Sequence, residues 1–295
     1  MTYVICGATG NIGGVIAHEL LAQGKSVRVI GRDATKLAAF DGAEAKTGSL
    51  DDRAFLARAF AGATTVFAMI PPSYGEADFR SYQNRIGEAL AHGVTSAGVR
   101  HVVNLSSIGA QHAQGCGPVN GLHDQEQRLN ALAAVHVLHL RPTFFMENHL
   151  GSIGAIQGMG VLPGALRPEL AIPQIATGDI AAVATRRLAA LDFSGKSVLE
   201  LLGPRDVTMT ETAPILGGAI GRDDLRYVQV GYDDVRQAFL GMGASADLAN
   251  LYAEMLRGLN DGHMVPTQAR DARTTTPTPF EVFAREVFAP VFRAS

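Results

Sequence analysis

The chain opens on Tyr3-Val4-Ile5-Cys6, an unbroken apolar run of strand length. In Val15-Ile16-Ala17-His18-Glu19-Leu20-Leu21-Ala22 the apolar positions recur at helical spacing and stop at Gly24, and Ser26-Val27-Arg28-Val29-Ile30 is apolar again. Short apolar runs separated by helical periodicity predict a βαβ unit. The alternation continues through a short helix at Ala34–Ala39, a strand at Ala43–Lys46, a helix at Asp52–Ala61 capped by Asp51 or Asp52, and a buried strand at Thr65–Ile70 ended by Pro71-Pro72. A helix at Asp78–Ala97, a strand at His101–Leu105, a helix at Gln125–Ala133 and a strand at Val135–Leu140 follow. Strands separated by helices imply a parallel sheet covered on both faces, a doubly wound, Rossmann-type α/β fold.

Beyond Arg141 the regular alternation fades. A glycine-rich stretch, Gly151–Gly164, precedes a helix at Asp179–Leu191 and a strand at Ser197–Leu202. Thr208-Met209-Thr210-Glu211 is a capping box opening a helix toward Gly221. Further helices fit Asp233–Met242 and Ala246–Leu259, and the last begins with Thr278 as its cap, Pro279 in first place and Glu281 closing the box. Two parts are expected: residues 1–150 as a dinucleotide-binding domain, and residues 151–295 as a smaller, mostly helical lobe, partly interwoven with it, that caps the sheet's carboxyl edge.

With 295 residues, 47% of them hydrophobic, the chain can build a large core. Charged residues make up 18% and the net charge is −3, so no basic footprint for direct nucleic-acid binding is present. Cys6 falls in a strand and Cys116 in a glycine-rich loop, which points to reduced thiols rather than a disulfide or a metal site. The first strand begins by Tyr3 and no apolar run reaches membrane length, so a cytoplasmic protein without a membrane partner is expected. A homodimer is the default expectation for its assembly.

Chemistry enters at the first turn, Gly7-Ala8-Thr9-Gly10-Asn11-Ile12-Gly13. Gly7 allows the tight turn, Gly10 lets backbone approach a pyrophosphate, Gly13 lets helix and strand pack closely, and the helix's free N–H groups face the phosphates. Ligands of open α/β sheets bind beyond the carboxyl ends of the strands, which makes the residues there the candidates. Arg32, after the second strand, suits the 2′-phosphate of NADP, with Lys36 as a second cation, so NADP(H) is expected over NAD(H). The adjacent Asp33 leaves the alternative of a carboxylate at the ribose. Ser49 and Leu50 edge the adenine, and Ala68, Met69, Ile70 and Pro71 meet the nicotinamide ribose. Ser106 ends the fifth strand in a manner that resembles short-chain dehydrogenases/reductases. No tyrosine has a lysine four residues on, however, so their Tyr-x-x-x-Lys proton transfer is absent.

Together with His123 and Glu126 on one helix, Leu140-Arg141-Pro142-Thr143-Phe144-Phe145-Met146-Glu147-Asn148, Thr177-Gly178-Asp179-Ile180-Ala181 and Gly203-Pro204, the glycine turn resembles the NmrA-like family. These atypical short-chain dehydrogenases/reductases include NADPH-dependent quinone and azo reductases and nucleotide-sensing regulators. The resemblance implies that Pro142, Thr143, Phe144 and Phe145 lie against the nicotinamide. Where many members carry a lysine four residues before the helix glutamate, this chain has Leu122, which leaves His123 as the acid–base candidate. His112, His123 and Asp124 lack recognised metal-ligand spacing. The glycine-rich segment Gly109–Gly121 is expected to form a mobile flap over the nicotinamide. The expected function is an NADPH-binding oxidoreductase that passes hydride to a small quinone-like or aromatic acceptor; the alternative is a non-catalytic redox sensor that binds a protein partner.

Overall fold

β1 (Thr2–Cys6) enters the glycine turn and α1 (Asn11–Ala22) leaves it. The step repeats through β2 (Ser26–Gly31), α2 (Ala34–Leu37), β3 (Glu44–Thr47), α3 (Arg53–Ala59), β4 (Ala63–Ala68), α4 (Phe79–Ser96), β5 (His101–Leu105), α5 (Asn120–Asn130) and β6 (His136–Pro142), in a computed structural model that describes residues 1–295. The rest of the chain adds β7 (Phe144–Phe145), α6 (Ile153–Met159), β8 (Val161–Gly164), β9 (Ile172–Ile175), α7 (Thr177–Ala190), β10 (Lys196–Leu201) and β11 (Asp206–Val207). It ends with α8 (Met209–Ile220), β12 (Arg226–Gln229), α9 (Tyr232–Gly241), α10 (Ala246–Asn260), α11 (Phe280–Phe283), a π turn, and α12 (Ala289–Ala294).

Seven parallel strands form the central sheet in the order β10-β6-β5-β4-β1-β2-β3. The chain winds one way from β1 to β3 and the other way from β4 onward, so β1 and β4 flank the topological switch point of a Rossmann-type sheet. Successive side chains on β1 divide between two cores. Tyr3 and Ile5 join α1 and α7 on one face, while Val4 and Cys6 join α3 and α4 on the other. This two-sided burial is why the strands read as continuous apolar runs.

Three aspartates start the helices that follow β2, β3 and β4. Asp33 accepts from the Thr35 and Lys36 amides, Asp52 from Phe55 and Asp78 from Ser81. Asp52, rather than Asp51, is thus the cap of α3.

The second half is helical but carries two small sheets that its sequence did not announce, β11-β9-β7 and β12-β8. It also returns β10 to the central sheet beside β6 and lays α7 on α1. The free edge of β10 is covered by the segment before the last helices. Leu202 N donates to Thr274 O at 2.7 Å and Thr276 N to Leu202 O at 2.8 Å, and buried Glu200 accepts from the Thr267 and Gln268 amides. Covering an edge in this way removes a template for unwanted strand pairing.

The glycine-rich stretch 151–164 contains α6 and β8, and two expectations from the sequence need correction. The helix expected from Gln125 begins at Asn120, because a 3-10 turn at Gly117–Val119 feeds straight into it. Thr278 does not cap the last helix; its amide and hydroxyl both donate to Asp179, at 3.0 and 2.7 Å, and Pro279 takes the cap position.

Candidate active site

At the switch point Gly7 adopts φ +67°, a left-handed conformation that glycine reaches without strain. Its absent side chain matters as well, since a Cβ there would come within 2.8 Å of Met69 Sδ at the end of β4. A Cβ at Gly13 would overlap the Gly7 carbonyl, whereas one at Gly10 would sit 3.4 Å from it. The turn is closed by Gly10 N donating to Gly7 O at 3.0 Å. No side chain caps α1, in contrast to the aspartates on α2, α3 and α4. The first-turn amides of α1 are therefore left for an anion, as a pyrophosphate cradle requires.

Arg32 and Asp33 differ in local structure. Asp33 Oδ1 accepts from two amides of α2, at 2.9 and 3.1 Å. Arg32 is exposed and forms no ion pair. Lys36 is exposed one turn further on, and Ser49 is half-buried at the end of β3. Leu50 and Ala68 are buried in the core between sheet and α3–α4, so their side chains line no site. Met69, Ile70 and Pro71 stay partly accessible at the edge of β4.

Ser106 departs from expectation. Its hydroxyl donates to Glu126 Oε1 at 2.5 Å, and the same carboxylate receives Arg141 through Nε at 2.9 Å and a terminal nitrogen at 2.5 Å. Glu126 is 2% and Arg141 9% exposed. This triad ties β5, α5 and β6 together and leaves the Ser106 hydroxyl none of its hydrogen for a ligand. Pro142 and Thr143 are also buried, with the Thr143 hydroxyl donating to Leu201 O at 3.2 Å. Phe144 and Phe145 are the half-buried members of that segment.

His123 is half-buried and is not among the residues that line the cavity described below. Its Nδ1 donates to Ala110 O at 2.8 Å. That bond, and Gln83 Nε2 donating to Pro118 O at 2.9 Å, pin the Gly109–Gly121 segment down. Ala110 and Cys116 are fully buried there, His112 stacks on His263 at 4.0 Å, and a Cβ on Gly117 would overlap the Leu251 carbonyl. The segment is a packed strap rather than an open flap, because its small residues let α10 lie directly against it. Burial pushes the Cys116 thiol up to about 11, so it stays protonated.

A cavity of about 710 Å³ lies beyond the carboxyl edge of β6. Phe144, Asn148 and His149 form its inner wall, the residues of β8 with Ala165 and Leu166 its floor, and α9 and α10 its outer wall through Phe239, Met242, Tyr252 and Met255. Tyr74, from the loop after β4, Met159 and Met242 stand exposed at its rim. The lining is mostly apolar and aromatic, with few polar groups. Tyr227 donates to Leu166 O at 2.8 Å. Tyr252 stacks on Phe239 at 4.2 Å, and burial pushes its phenol up to about 12, so it remains a neutral donor. His149 sits in the wall, packed edge-on against Phe280. Of these wall residues only Phe144 and Asn148 were named from the sequence as part of a motif, Leu140–Asn148, since the cavity is assembled by elements far apart in the chain.

The NmrA-like family profile matches residues 1–282. A (4-alkanoyl-5-oxo-2,5-dihydrofuran-3-yl)methyl phosphate reductase of Streptomyces griseus subsp. griseus is 29% identical over 238 residues, 80% of each chain. An NAD(P)H azoreductase of Xenophilus azovorans is 28% identical over 256 residues, 85% of each chain. Among solved structures, an NADPH-dependent quinone oxidoreductase of Escherichia coli complexed with NADPH superposes with a TM-score of 0.81. It covers 98% of this chain and 100% of its own at 23% identity, a likeness of fold.

Proposed function

This chain belongs to the NmrA-like family, and on that premise we propose that it is an NADPH-dependent reductase of a small aromatic or quinone-like acceptor. The observation that carries the reading is one continuous edge of the sheet. It holds an uncapped glycine turn, an unpaired Arg32 on one side of it, and an aromatic cavity opening at Phe144 on the other. The α1 amides and Gly7–Gly13 would hold the pyrophosphate, Arg32 the 2′-phosphate, and Met69 to Pro71 the nicotinamide ribose. When bound there, NADPH supplies a hydride.

The protein's own part is positioning. Phe144, Phe239 and Tyr252 offer flat apolar surfaces to an aromatic ring, and the depth of the cavity keeps water from the reacting face. Tyr252 holds its proton at the phenol oxygen and so donates a hydrogen bond to oxygen or nitrogen that gains negative charge as the acceptor is reduced. The proton that completes reduction comes from water at the open rim between Tyr74, Met159 and Met242. The relatives named above include reductases of an azo compound and of an unsaturated lactone, which supports the reaction class.

The test is NADPH consumption with a panel of quinones, azo dyes and aldehydes, run beside calorimetric titration with NADPH. Turnover of at least one aromatic acceptor is the expected result. Tight NADPH binding with no turnover of any member would replace the reductase with a cofactor sensor.

A further inference from the structure

His149 is fixed on one side of its ring and free on the other. Its Nε2 lies 2.9 Å from Gln174 Oε1, Gln174 Nε2 lies 3.3 Å from Thr212 Oγ1, and Thr212 Oγ1 donates to Thr208 O at 2.9 Å. The far end sets the direction of this chain. A backbone carbonyl only accepts, so the Thr212 hydrogen points at Thr208 and its oxygen accepts from the Gln174 amide. Gln174 Oε1 is thereby turned toward His149, and because an amide oxygen also only accepts, the His149 proton resides on Nε2. In a neutral imidazole the other nitrogen is then a bare lone pair.

Burial pushes His149 down to about 4, so the ring is neutral around neutral pH. His149 is 5% exposed and is one of the residues that line the cavity. Its Nδ1 has no hydrogen-bond partner within the protein. Unlike the sealed orphans Asn104 Oδ1 and Gln125 Nε2, it is not closed off from the surrounding space.

We propose that His149 Nδ1 recognises the acceptor by taking a hydrogen bond from a neutral hydroxyl group on its aromatic ring, so that the cavity selects phenolic aromatics over their O-alkylated counterparts. The proposal rests on the reading of this cavity as the acceptor site. An ether at the same place brings no hydrogen and leaves the buried lone pair unmatched, and a carbonyl oxygen there sets one lone pair against another, so a quinone or azo acceptor meets Nδ1 through a ring hydroxyl separate from the group that is reduced. A site built around a substrate hydroxyl discriminates strongly for this reason. Gln174 and Thr212 act through His149 as positioning residues, since they hold the tautomer that leaves Nδ1 bare.

Calorimetry on the full chain saturated with NADP⁺ tests this with 2-naphthol and 2-methoxynaphthalene, which differ by the hydroxyl hydrogen and are not hydride acceptors. 2-Naphthol should bind about tenfold more tightly than the ether, the scale of one hydrogen bond to a buried acceptor. In His149→Gln, whose amide can still reach Gln174, the ratio should fall to about twofold or less through loss of 2-naphthol affinity. In His149→Asn, whose Oδ1 lies near the original Nδ1, about threefold should survive. The ¹⁵N signal of Nδ1 should be that of an unprotonated ring nitrogen and should move when 2-naphthol is added, and Gln174→Leu should mix the tautomers. The spectrum decides the matter even if a variant fails to fold.

Equal affinities in the unaltered protein, no binding of either compound, or a preference that persists in His149→Gln would each overturn the proposal. Naphthol selectivity without turnover of any quinone or azo dye would sink the reductase reading and leave the role of His149 standing. Quinone turnover without naphthol selectivity would do the reverse.

Discussion

Glu147 and Thr177 are joined by three hydrogen bonds. The carboxylate accepts from the Thr177 amide at 2.9 and 3.1 Å and from its hydroxyl at 2.6 Å. Thr177 is the first residue of α7, which has no cap from its own sequence neighbours, so a residue thirty positions earlier caps it. Two residues on, Asp179 receives Thr278. One helix start thus binds the wall of the cavity to the central sheet and to the C-terminal segment. Glu147→Ala should lower stability by about 1–2 kcal/mol, the value of a helix cap. It should also raise KM for the acceptor more than it lowers kcat, because Asn148 and His149 hang from the same turn. A melting temperature equal to that of the unaltered protein would show that the cap is replaceable.

Arg32→Ala should weaken NADPH binding about tenfold or more and leave NADH little changed, since a charge-assisted bond is worth roughly 1.5–3 kcal/mol. Asp33→Ala should cost α2 about 1 kcal/mol of cap energy without altering cofactor preference. Titrations of the two variants with both cofactors check this; equal losses for NADPH and NADH in Arg32→Ala would assign that residue to another role.

Gly10 and Gly13 should fail in different ways. Gly10 has room for a side chain on its own protein, so Gly10→Val should fold and lose NADPH affinity by blocking the approach of phosphate. Gly13→Ala should lower stability by about 1–3 kcal/mol as helix and strand are forced apart. Urea unfolding and NADPH titration separate the two, and retained micromolar affinity in Gly10→Val would place the nucleotide elsewhere.

Removal of one partner from the buried Glu126–Arg141 pair should be far worse than removal of both. Glu126→Leu leaves a buried guanidinium without its carboxylate and should cost about 3–5 kcal/mol. The double variant Glu126→Leu, Arg141→Met should recover most of that loss. A double variant as unstable as the single one would mean that the triad with Ser106 is needed for its hydrogen bonds rather than for charge balance.

Acid should destabilise the protein through two histidines. His139, bonded to Asn104 and Asn130, and His149 are both pushed down to about 4 by burial, below the value near 6.5 of an unfolded histidine. Between those values the unfolded chain binds more protons than the folded one. Their contribution is therefore complete above about pH 6.5 and is lost as pH falls toward 4, on the order of 2–3 kcal/mol per histidine. Unfolding free energies measured at pH 7 and 5 should differ accordingly, and His149→Gln should flatten the difference. An unaltered slope in that variant would remove His149 from the account.

The central sheet was legible because its inner strands are short, buried on both faces and bounded by helical periodicity, so Tyr3–Cys6 and His101–Leu105 announce themselves without help from distant residues. The glycine turn was legible for a similar reason, since Gly7, Gly10 and Gly13 act within one strand–helix step. Arg32 and Asp33 could be named as candidates, but only the folded chain showed that Asp33 caps α2 while Arg32 forms no ion pair. The strap was misread as a flap because glycine content reports conformational freedom, whereas at Gly117 the missing side chain admits the Leu251 backbone.

Apart from Phe144 and Asn148, the cavity lay beyond sequence reading. Phe144, His149, Tyr227, Phe239 and Tyr252 come from elements that meet only when β10 joins β6 and α7 settles on α1. His149 itself gives no local sign of its state. Its tautomer follows from Gln174, Thr212 and Thr208, residues joined to it by hydrogen bonds across 25 and 38 positions of chain. Local periodicity and turn chemistry are written in neighbouring residues and so define strands, helices and the phosphate turn. Which polar groups are matched and which are left bare depends on contacts that exist only after the chain has packed.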